Sequence, residues 1–369
     1  MLDWSNAKRI LCIRLDTIGD VMMTAPAMRA LKESAASRHI TLMTSEAGAA
    51  IAPLLPEIDQ VICYDAPWLK STALRSDSTP EFAQIEQLRQ AQFDAAVIFT
   101  VYSQNPLPAA FLCYLTGIPL RLAHCHENPY QLLTHWVKDS EPETTIRHEV
   151  QRQLDLVASV GCSVADDRLK LAIPDRARQR VQQILQDLGF ASDQPWVVIH
   201  PGASAASRRY PPEQYAIVAR TLATNFDLPI ILTGTRSEQA LVDSIQSMMG
   251  VPSISLVDRL DLAELAALLA KASLLISNNT GPAHLAAAVG TPIVDLYALT
   301  NPQHTPWKVP CRVLYQDVPC KFCYKSICPQ EHHHCLRLVE PDRVVQAAIE
   351  LLFSELDPVI EFPDLLLQA

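Results

Sequence analysis

The sequence predicts an α/β protein made of two parallel-sheet, Rossmann-like domains, and three observations carry that expectation. The chain has 369 residues, long for a single hydrophobic core. Short apolar runs alternate with longer stretches of helical periodicity, in two separate series. Between the series lies "IPDRARQRVQQILQDLGFASDQP", a charged helical pattern ending at Gly189 and followed by Pro195, which places a hinge near 174–195.

The first series has strands expected at 10–13, 40–43, 61–64 and 95–99. Helical patterns fall at 21–33 and 80–91, and one at 147–160 closes this half. The second series has strands expected at 196–199, 230–232, 253–255, 274–276 and 293–296. Helices are expected at 212–223, 237–248, 261–271 and 282–289, and a last one at 341–355 precedes an acidic and apolar tail. Strands alternating with helices imply parallel sheets with right-handed crossovers, and two such sheets form a cleft faced by their strand ends. The expected domains are 1–175 and 176–345, the second carrying a cysteine-rich segment at 311–335, with 346–369 the end of the last helix and the tail.

Composition narrows the function. Apolar residues at 49% and charged residues at 19% suit a globular protein. The net charge of -10 argues against nucleic acid gripped by its backbone, which needs a basic face. The opening "MLDWSNAKR" carries no cleavable signal pattern. The longest uncharged run, between Asp94 and Arg121, is broken by Pro106, Pro108 and Pro119, so a strand, loop and helix explain it better than a membrane span. These features predict a soluble cytoplasmic protein, whose ten cysteines then suggest thiols or a metal site before disulfides.

The chemistry concentrates in strand-to-helix turns. In "LLISNNTGPAHLAAAVGTPIVDLY" a strand ends, Pro282 marks a helix start, and Gly281 lets the backbone approach a ligand. Such a helix terminus binds phosphate, with Thr280 adding a hydroxyl and His284 a ring nitrogen. An ordinary cap with His284 in the packing is the competing view. In "VVIHPGASAASRRYPPEQY" a similar turn carries Arg208 and Arg209, whose planar donors suit a diphosphate; alone, two solvated arginines would be the commoner explanation. Two such turns in one half favour a diphosphate site. In "ILTGTRSEQA" Glu238 can accept from ribose hydroxyls, or simply complement a helix dipole.

The first half opens with "ILCIRLDTIGDVMMTAPAMRALKES", a strand, a turn with one glycine and two aspartates, then a helix. It has neither the three glycines of a dinucleotide fingerprint nor the Gly-Lys-Ser/Thr of a phosphate loop. A carboxylate there would repel phosphate, so its expected role is toward an acceptor, taking a proton from an attacking hydroxyl. Asp20 is preferred over Asp16 because it follows Gly19 at the helix start; N-capping competes for both. Finally, "PCKFCYKSICPQEHHHC" holds Cys320, Cys323, Cys328 and Cys335 beside His332, His333 and His334. That spacing has metal-ligand character for structural zinc or an iron–sulfur cluster, with a reduced or disulfide-stapled loop as the alternative.

Taken in order, "IRLDTIGDVMMTAPAMRAL", "HPGAS…RRYP", "SNNTGPAHLAAAVGTPIV", "LTNPQHTPW" and the cysteine segment resemble glycosyltransferase family 9, the heptosyltransferases of the lipopolysaccharide core. The resemblance implies a GT-B fold with an N-terminal acceptor domain and a C-terminal domain for a nucleotide sugar, typically ADP-L-glycero-D-manno-heptose. It implies inverting transfer with no cofactor needed for catalysis, to a saccharide or glycolipid acceptor, with peripheral contact at the cytoplasmic face of the inner membrane. By motif, Asp20 falls on the proposed catalytic base, Arg208 on a diphosphate-contacting lysine and Glu238 on a ribose-binding acid. Thr280, Gly281 and His284 fall on the phosphate turn, and Ser204 and Asn279 join the donor-binding set. Arg208 and Asn279 depart from the family's usual lysine and aspartate, which leaves the donor sugar open. A nucleotide-sugar epimerase of similar layout, a degenerate nucleotide binder and, last, a dehydrogenase are the competing functions.

Overall fold

Strand β1 (Arg9–Arg14) lies in the interior of a parallel sheet, and only its first residue is exposed. The computed structural model describes residues 3–35, 37–69, 72–190 and 194–353. In sequence order the first part of the chain continues with α1 (Ile18–Glu33), β2 (His39–Thr44), α2 (Glu46–Ala49), β3 (Gln60–Cys63) and α3 (Thr79–Ala91). It is completed by β4 (Ala95–Ile98), α4 (Leu107–Leu115), β5 (Leu120–Cys125), β6 (His135–Lys138) and α5 (Glu149–Ala158). These strands form one sheet in the order β3-β2-β1-β4-β5-β6, every pairing parallel. Helices α1 and α5 pack together. Parallel strands buried on both faces read as continuous apolar runs, which is why β1, β2 and β4 were legible from hydrophobicity alone.

The second part begins with α6 (Asp175–Asp187), then β7 (Val197–His200), α7 (Pro212–Asn225), β8 (Ile230–Leu232), α8 (Gln239–Met249), β9 (Ile254–Ser255) and α9 (Leu262–Leu269). It ends with β10 (Leu274–Asn278), α10 (Gly281–Val289), β11 (Ile293–Leu296), β12 (Cys311–Leu314), α11 (His334–Arg337) and α12 (Pro341–Phe353). Its sheet order is β12-β11-β10-β7-β8-β9, again parallel throughout. In both sheets the first strand neighbours two others whose crossovers run in opposite directions, β2 and β4 for β1, β8 and β10 for β7. The loops after β1 and β4, and after β7 and β10, therefore flank the switch points where open α/β sheets bind ligands.

The chain divides into two compact units, one running to Lys170 and the other starting at Leu171. The charged helix expected ahead of Gly189 is present as α6. Helix α6 buries Ala177, Val181, Ile184 and Leu185 and packs on α9. Its charges occupy the outer face, as in any amphipathic helix laid on a domain. The last two positions of the helix expected at 341–355, and the tail beyond, lie outside the described residues. Among the described residues no helix is long and apolar enough to cross a membrane.

Candidate functional site

In the second unit, Asn278 at the end of β10 ties down the loop that follows β7. Its side chain is fully buried. Nδ2 donates to the Pro201 carbonyl at 2.7 Å, and Oδ1 accepts from the Tyr210 amide at 3.0 Å. Both ends of the 201–210 loop are thereby fixed to the neighbouring strand. Leaving such an amide unpaired would cost ~1–3 kcal/mol. Within the loop, Arg209 is exposed and its Nε donates to the Ala203 carbonyl at 2.8 Å. Arg208 is half-buried; its Nη1 reaches the Asn279 carbonyl at 3.5 Å, and its Nε has no hydrogen-bond partner. Ser204 is exposed on the same loop.

The β10–α10 turn sits against that arginine. Thr280 is the N-cap of α10, and its hydroxyl donates to the Asn278 carbonyl at 3.2 Å. Gly281 and Pro282 form the half-exposed first turn; Pro282 has no N–H, the Ala283 amide donates to the Thr280 carbonyl at 3.0 Å, and His284 is buried. What this helix end presents to an anion is chiefly the positive end of its dipole.

Asn279 does something other than expected. It is buried, and its Nδ2 donates inward, to Asp295 Oδ2 at 3.1 Å and to the His304 carbonyl at 2.9 Å. Its backbone carbonyl is the atom next to Arg208. The physical reason is Asp295, a fully buried carboxyl whose pKa burial pushes up to about 7, against the opposing pull of Asn279 and Arg208. An acid at position 279 would set a second carboxylate beside it; an amide donates a hydrogen bond instead.

Glu238 ends a 3-10 turn (Arg236–Glu238) just ahead of α8. Its Oε2 accepts from the Thr235 amide at 2.8 Å and the Thr235 hydroxyl at 3.0 Å, so it completes a capping box. Its carboxylate also lies directly over Gly202, where any Cβ would collide with it. Gly202 is thus the position that lets an acid from the β8 loop close over the β7 loop. Beneath them, burial lowers the basicity of His200 while Glu238 pulls the other way. The structure therefore brings Arg208, the 279–284 turn and, through Gly202, Glu238 to one end of the sheet.

In the first unit the Asp16–Asp20 turn is organised by a residue that sequence reasoning passed over. Arg14, the last residue of β1, is fully buried and faces three carboxylates: Asp16 at 2.9 Å, Asp20 at 3.3 Å and Glu149 of α5 at 2.8 Å. Burial alone would depress its pKa, but the three acids outweigh that and hold it above the ordinary range. Asp20 Oδ2 also accepts from the Thr17 amide at 3.0 Å and hydroxyl at 2.7 Å, so the capping role weighed for it is real. Oδ1 is the atom turned to Arg14. Asp16 accepts from Gln104 Nε2 at 2.6 Å, and burial, with Asp20 adding to it against Arg14, raises its pKa to about 6. Arg14 stands directly after the apolar run of β1, a position from which a charged side chain must find partners or pay for its burial.

The cysteine segment forms a loop against the arginine loop. Ser207 donates its amide to the Ser326 carbonyl at 3.2 Å, and Tyr324 donates to the Leu299 carbonyl at 2.8 Å. Cys320, Cys323, Cys328, Cys335 and His332 border one cavity of about 20 Å³. The four cysteines are free thiols; Cys320 Sγ is 3.8 Å from His332 Nε2. Soft thiol donors suit zinc or iron. Yet among the described residues no group of three or more His, Cys, Asp or Glu side chains is arranged to hold a metal ion. The expected ligands are gathered but not assembled as a coordination set.

The sequence model of glycosyltransferase family 9 (heptosyltransferase) matches residues 82–334. Lipooligosaccharide heptosyltransferase 2 of Haemophilus ducreyi is 26% identical over 359 residues, covering 93% of this chain and 99% of that protein. Among solved structures, a family 9 glycosyl transferase from Veillonella parvula aligns at a TM-score of 0.76 with 21% identity, over 96% of this chain and 99% of that one. E. coli ADP-heptose lps heptosyltransferase II aligns at 0.70 with 22% identity, over 94% and 99%. Their likeness establishes the GT-B type of fold.

Proposed function

Because the chain belongs to glycosyltransferase family 9 (heptosyltransferase), we propose that it moves a heptose from ADP-heptose to a saccharide of the lipopolysaccharide core, with inversion at the anomeric carbon. The observation that carries the donor half is the meeting of Arg208 with the open N-terminus of α10 at the β7/β10 switch point. A guanidinium with an unused donor beside the positive end of a helix dipole suits a diphosphate, and it suits it better as charge grows on the departing ADP. Ser204 lies on the same loop, and Glu238 is the acid assigned to the ribose.

In the first unit Asp20 is assigned as the base. It takes the proton of the acceptor hydroxyl as that oxygen bonds to the anomeric carbon and the bond from that carbon to the diphosphate oxygen breaks. Arg14 orients the carboxylate through Oδ1, and the Thr17 contacts fix Oδ2. The cysteine loop is assigned a bracing role for the arginine loop. A zinc ion or iron–sulfur cluster held by Cys320, Cys323, Cys328 and Cys335 would stiffen that brace and is given no part in the transfer. The reaction is placed in the cytoplasm, at the face of the inner membrane, where a lipid-linked acceptor would be met.

The degenerate-binder alternative drew on Asn279, a neutral residue where the family usually has an acid. That ground is weak once its side chain is seen to bond inward to Asp295 and His304. The epimerase and dehydrogenase alternatives lose to the family match. The test is a thermal-shift panel with ADP, UDP, GDP, CDP and NAD. A ligand that binds only the native state raises the melting temperature. Stabilisation by ADP above the others supports the reading; preference for another nucleotide removes ADP-heptose as donor.

A further inference from the structure

The fully buried Arg14 guanidinium is divided unequally among its three acids. Asp16 Oδ2 lies 2.9 Å from Nε and Glu149 Oε1 2.8 Å from Nη1, whereas Asp20 Oδ1 is 3.3 Å from Nη2, the longest contact of the three. Asp16 is also fixed from its other side. Gln104, in the loop after β4, donates Nε2 to Asp16 Oδ1 at 2.6 Å, and its own Oε1 accepts from the Val101 amide at 3.2 Å. The charged groups acting on Asp16 are Arg14 from β1, Asp20 from α1 and Glu149 from α5, and Arg152 of α5 acts on Glu149. A carboxylate that had such a guanidinium to itself would lose about ten- to thousandfold in proton affinity. It would then make a poor general base.

From this we infer that Asp16 is a positioning residue for the base: by occupying the Nε edge of Arg14 it keeps the guanidinium from closing on Asp20 and so preserves the basicity of Asp20. The inference rests on the reading of Asp20 as the base, and it adds a second carboxylate that acts through Arg14 rather than on the reacting atoms. While Asp16 is ionised, it holds Arg14 and Gln104 holds it. Once Asp16 is protonated, the guanidinium is left to Asp20 and Glu149, and Asp20 becomes a weaker base. Burial, opposed by Arg14 and reinforced by Asp20, raises the Asp16 pKa to about 6, so the change falls around that pH. Two carboxyls this close titrate as a pair, and the rate follows the steps of the pair.

The pH profile of heptose transfer from ADP-heptose, at saturating substrates, tests this. In the wild type kcat rises through about pH 6 as Asp16 ionises. Asp16→Asn keeps the shape and loses the charge; it lacks that step and levels off about three- to tenfold lower, as a weakened base should. Asp16→Glu restores the charge and with it the step. Carboxyl 13C NMR of the full chain labelled at aspartate reads the same coupling without substrate. The Asp20 resonance, assigned by its loss in Asp20→Asn, responds through about pH 6 in the wild type and not in Asp16→Asn. Should Asp16→Asn fold poorly, Glu149→Gln removes another of the three acids, and its plateau falls likewise. A step that persists in Asp16→Asn, or a Glu149→Gln plateau equal to the wild type, would overturn the inference. Asp20→Ala in the same assay separates the two layers. Transfer that survives it sinks the base reading. Transfer lost in Asp20→Ala, with the profile unmoved in Asp16→Asn, sinks the role of Asp16 alone. An Asp20 response at about pH 6 in a chain that transfers nothing leaves the coupling standing and sinks the transferase reading.

Discussion

Arg14 and Glu149 meet at 2.8 Å with both side chains 0% exposed, joining the first strand of the sheet to a helix 135 residues later. Glu149 in turn accepts from Gln153 at 2.7 Å. Burial raises the Glu149 pKa, and Arg14 and then Arg152 pull it back down. Removing one partner of such a pair strands the other charge in the interior, at a cost of ~3–5 kcal/mol. Because Asp16 and Asp20 still pair with Arg14, Glu149→Ala should lower the unfolding free energy in urea by less, ~1–3 kcal/mol. It should also slow transfer, since Arg14 would be drawn wholly to Asp16 and Asp20. Unchanged stability would mean that Arg14 finds another buried acceptor.

Asp295 predicts a pH signature. Its folded pKa is raised to about 7 by burial, above that of a free carboxyl. Between the ordinary carboxylate range and pH 7 the native state holds a proton that the unfolded chain has lost. Stability contributed here is thus complete in acid and falls as pH rises toward 7. Asp295→Asn should flatten that part of the melting-temperature profile. At pH 8 it should stabilise the protein by on the order of 2 kcal/mol, while near pH 4 it should change little. A variant less stable than the parent at pH 8 would show that the ionised carboxylate is paired well after all.

Gly202 carries a steric prediction. A Cβ there collides with the Glu238 carboxylate, so Gly202→Ala must displace either the β7 loop or Glu238. The atoms met are the far end of the Glu238 side chain, so the cost is that of freeing this carboxylate from its capping bonds, about 0.5–2 kcal/mol. ADP affinity should fall with it, as Glu238 is turned away from the β7 loop. Calorimetric titration with ADP checks this; unchanged affinity would detach Glu238 and Gly202 from the nucleotide.

The Arg208 assignment is tested more directly. Arg208→Ala removes a charged hydrogen-bonding group, worth ~1.5–3 kcal/mol when it contacts a ligand. The melting shift given by ADP should shrink accordingly, with the unliganded melting temperature little changed, because among the described residues its hydrogen bonding is one long contact to Asn279 and its pull on Asp295 is through space. A full ADP shift in the variant would move the diphosphate elsewhere.

How far the sequence spoke for the structure differs from element to element. Strands β1, β2, β4, β7 and β10 were legible because both faces are buried and their residues are uniformly apolar. Strand β5 was not, although it too is fully buried, because Arg121 and His124 interrupt it. Those groups are met by backbone carbonyls, several of them distant in sequence: Arg121 Nε donates to Leu132 at 2.8 Å, and His124 Nε2 is 3.1 Å from the Arg152 carbonyl. Edge strands β6 and β12 have four residues each and half-exposed faces, too short for periodicity to show. At the site, turn chemistry placed Arg208, Thr280 and Gly281 correctly on loops at a switch point. It could not reveal that Asn279 faces inward, because Asp295 lies sixteen residues away on another strand. Asn278 and Gly202 act through contacts with other loops, which spacing along the chain does not encode.

The central claim is that Asp20 is the base of a glycosyl transfer from an ADP-sugar, and one paired measurement addresses it. ADP-heptose is supplied with a heptose-deficient lipopolysaccharide core. Heptose addition is followed by mass spectrometry and ADP affinity by calorimetry, for the wild type and for Asp20→Ala. The account predicts that transfer falls by ~10²–10⁴-fold, the usual contribution of a positioned general base, while ADP affinity stays within about threefold because the donor residues lie in the other unit. Transfer that survives the substitution, or ADP affinity that falls in step with it, would contradict the account.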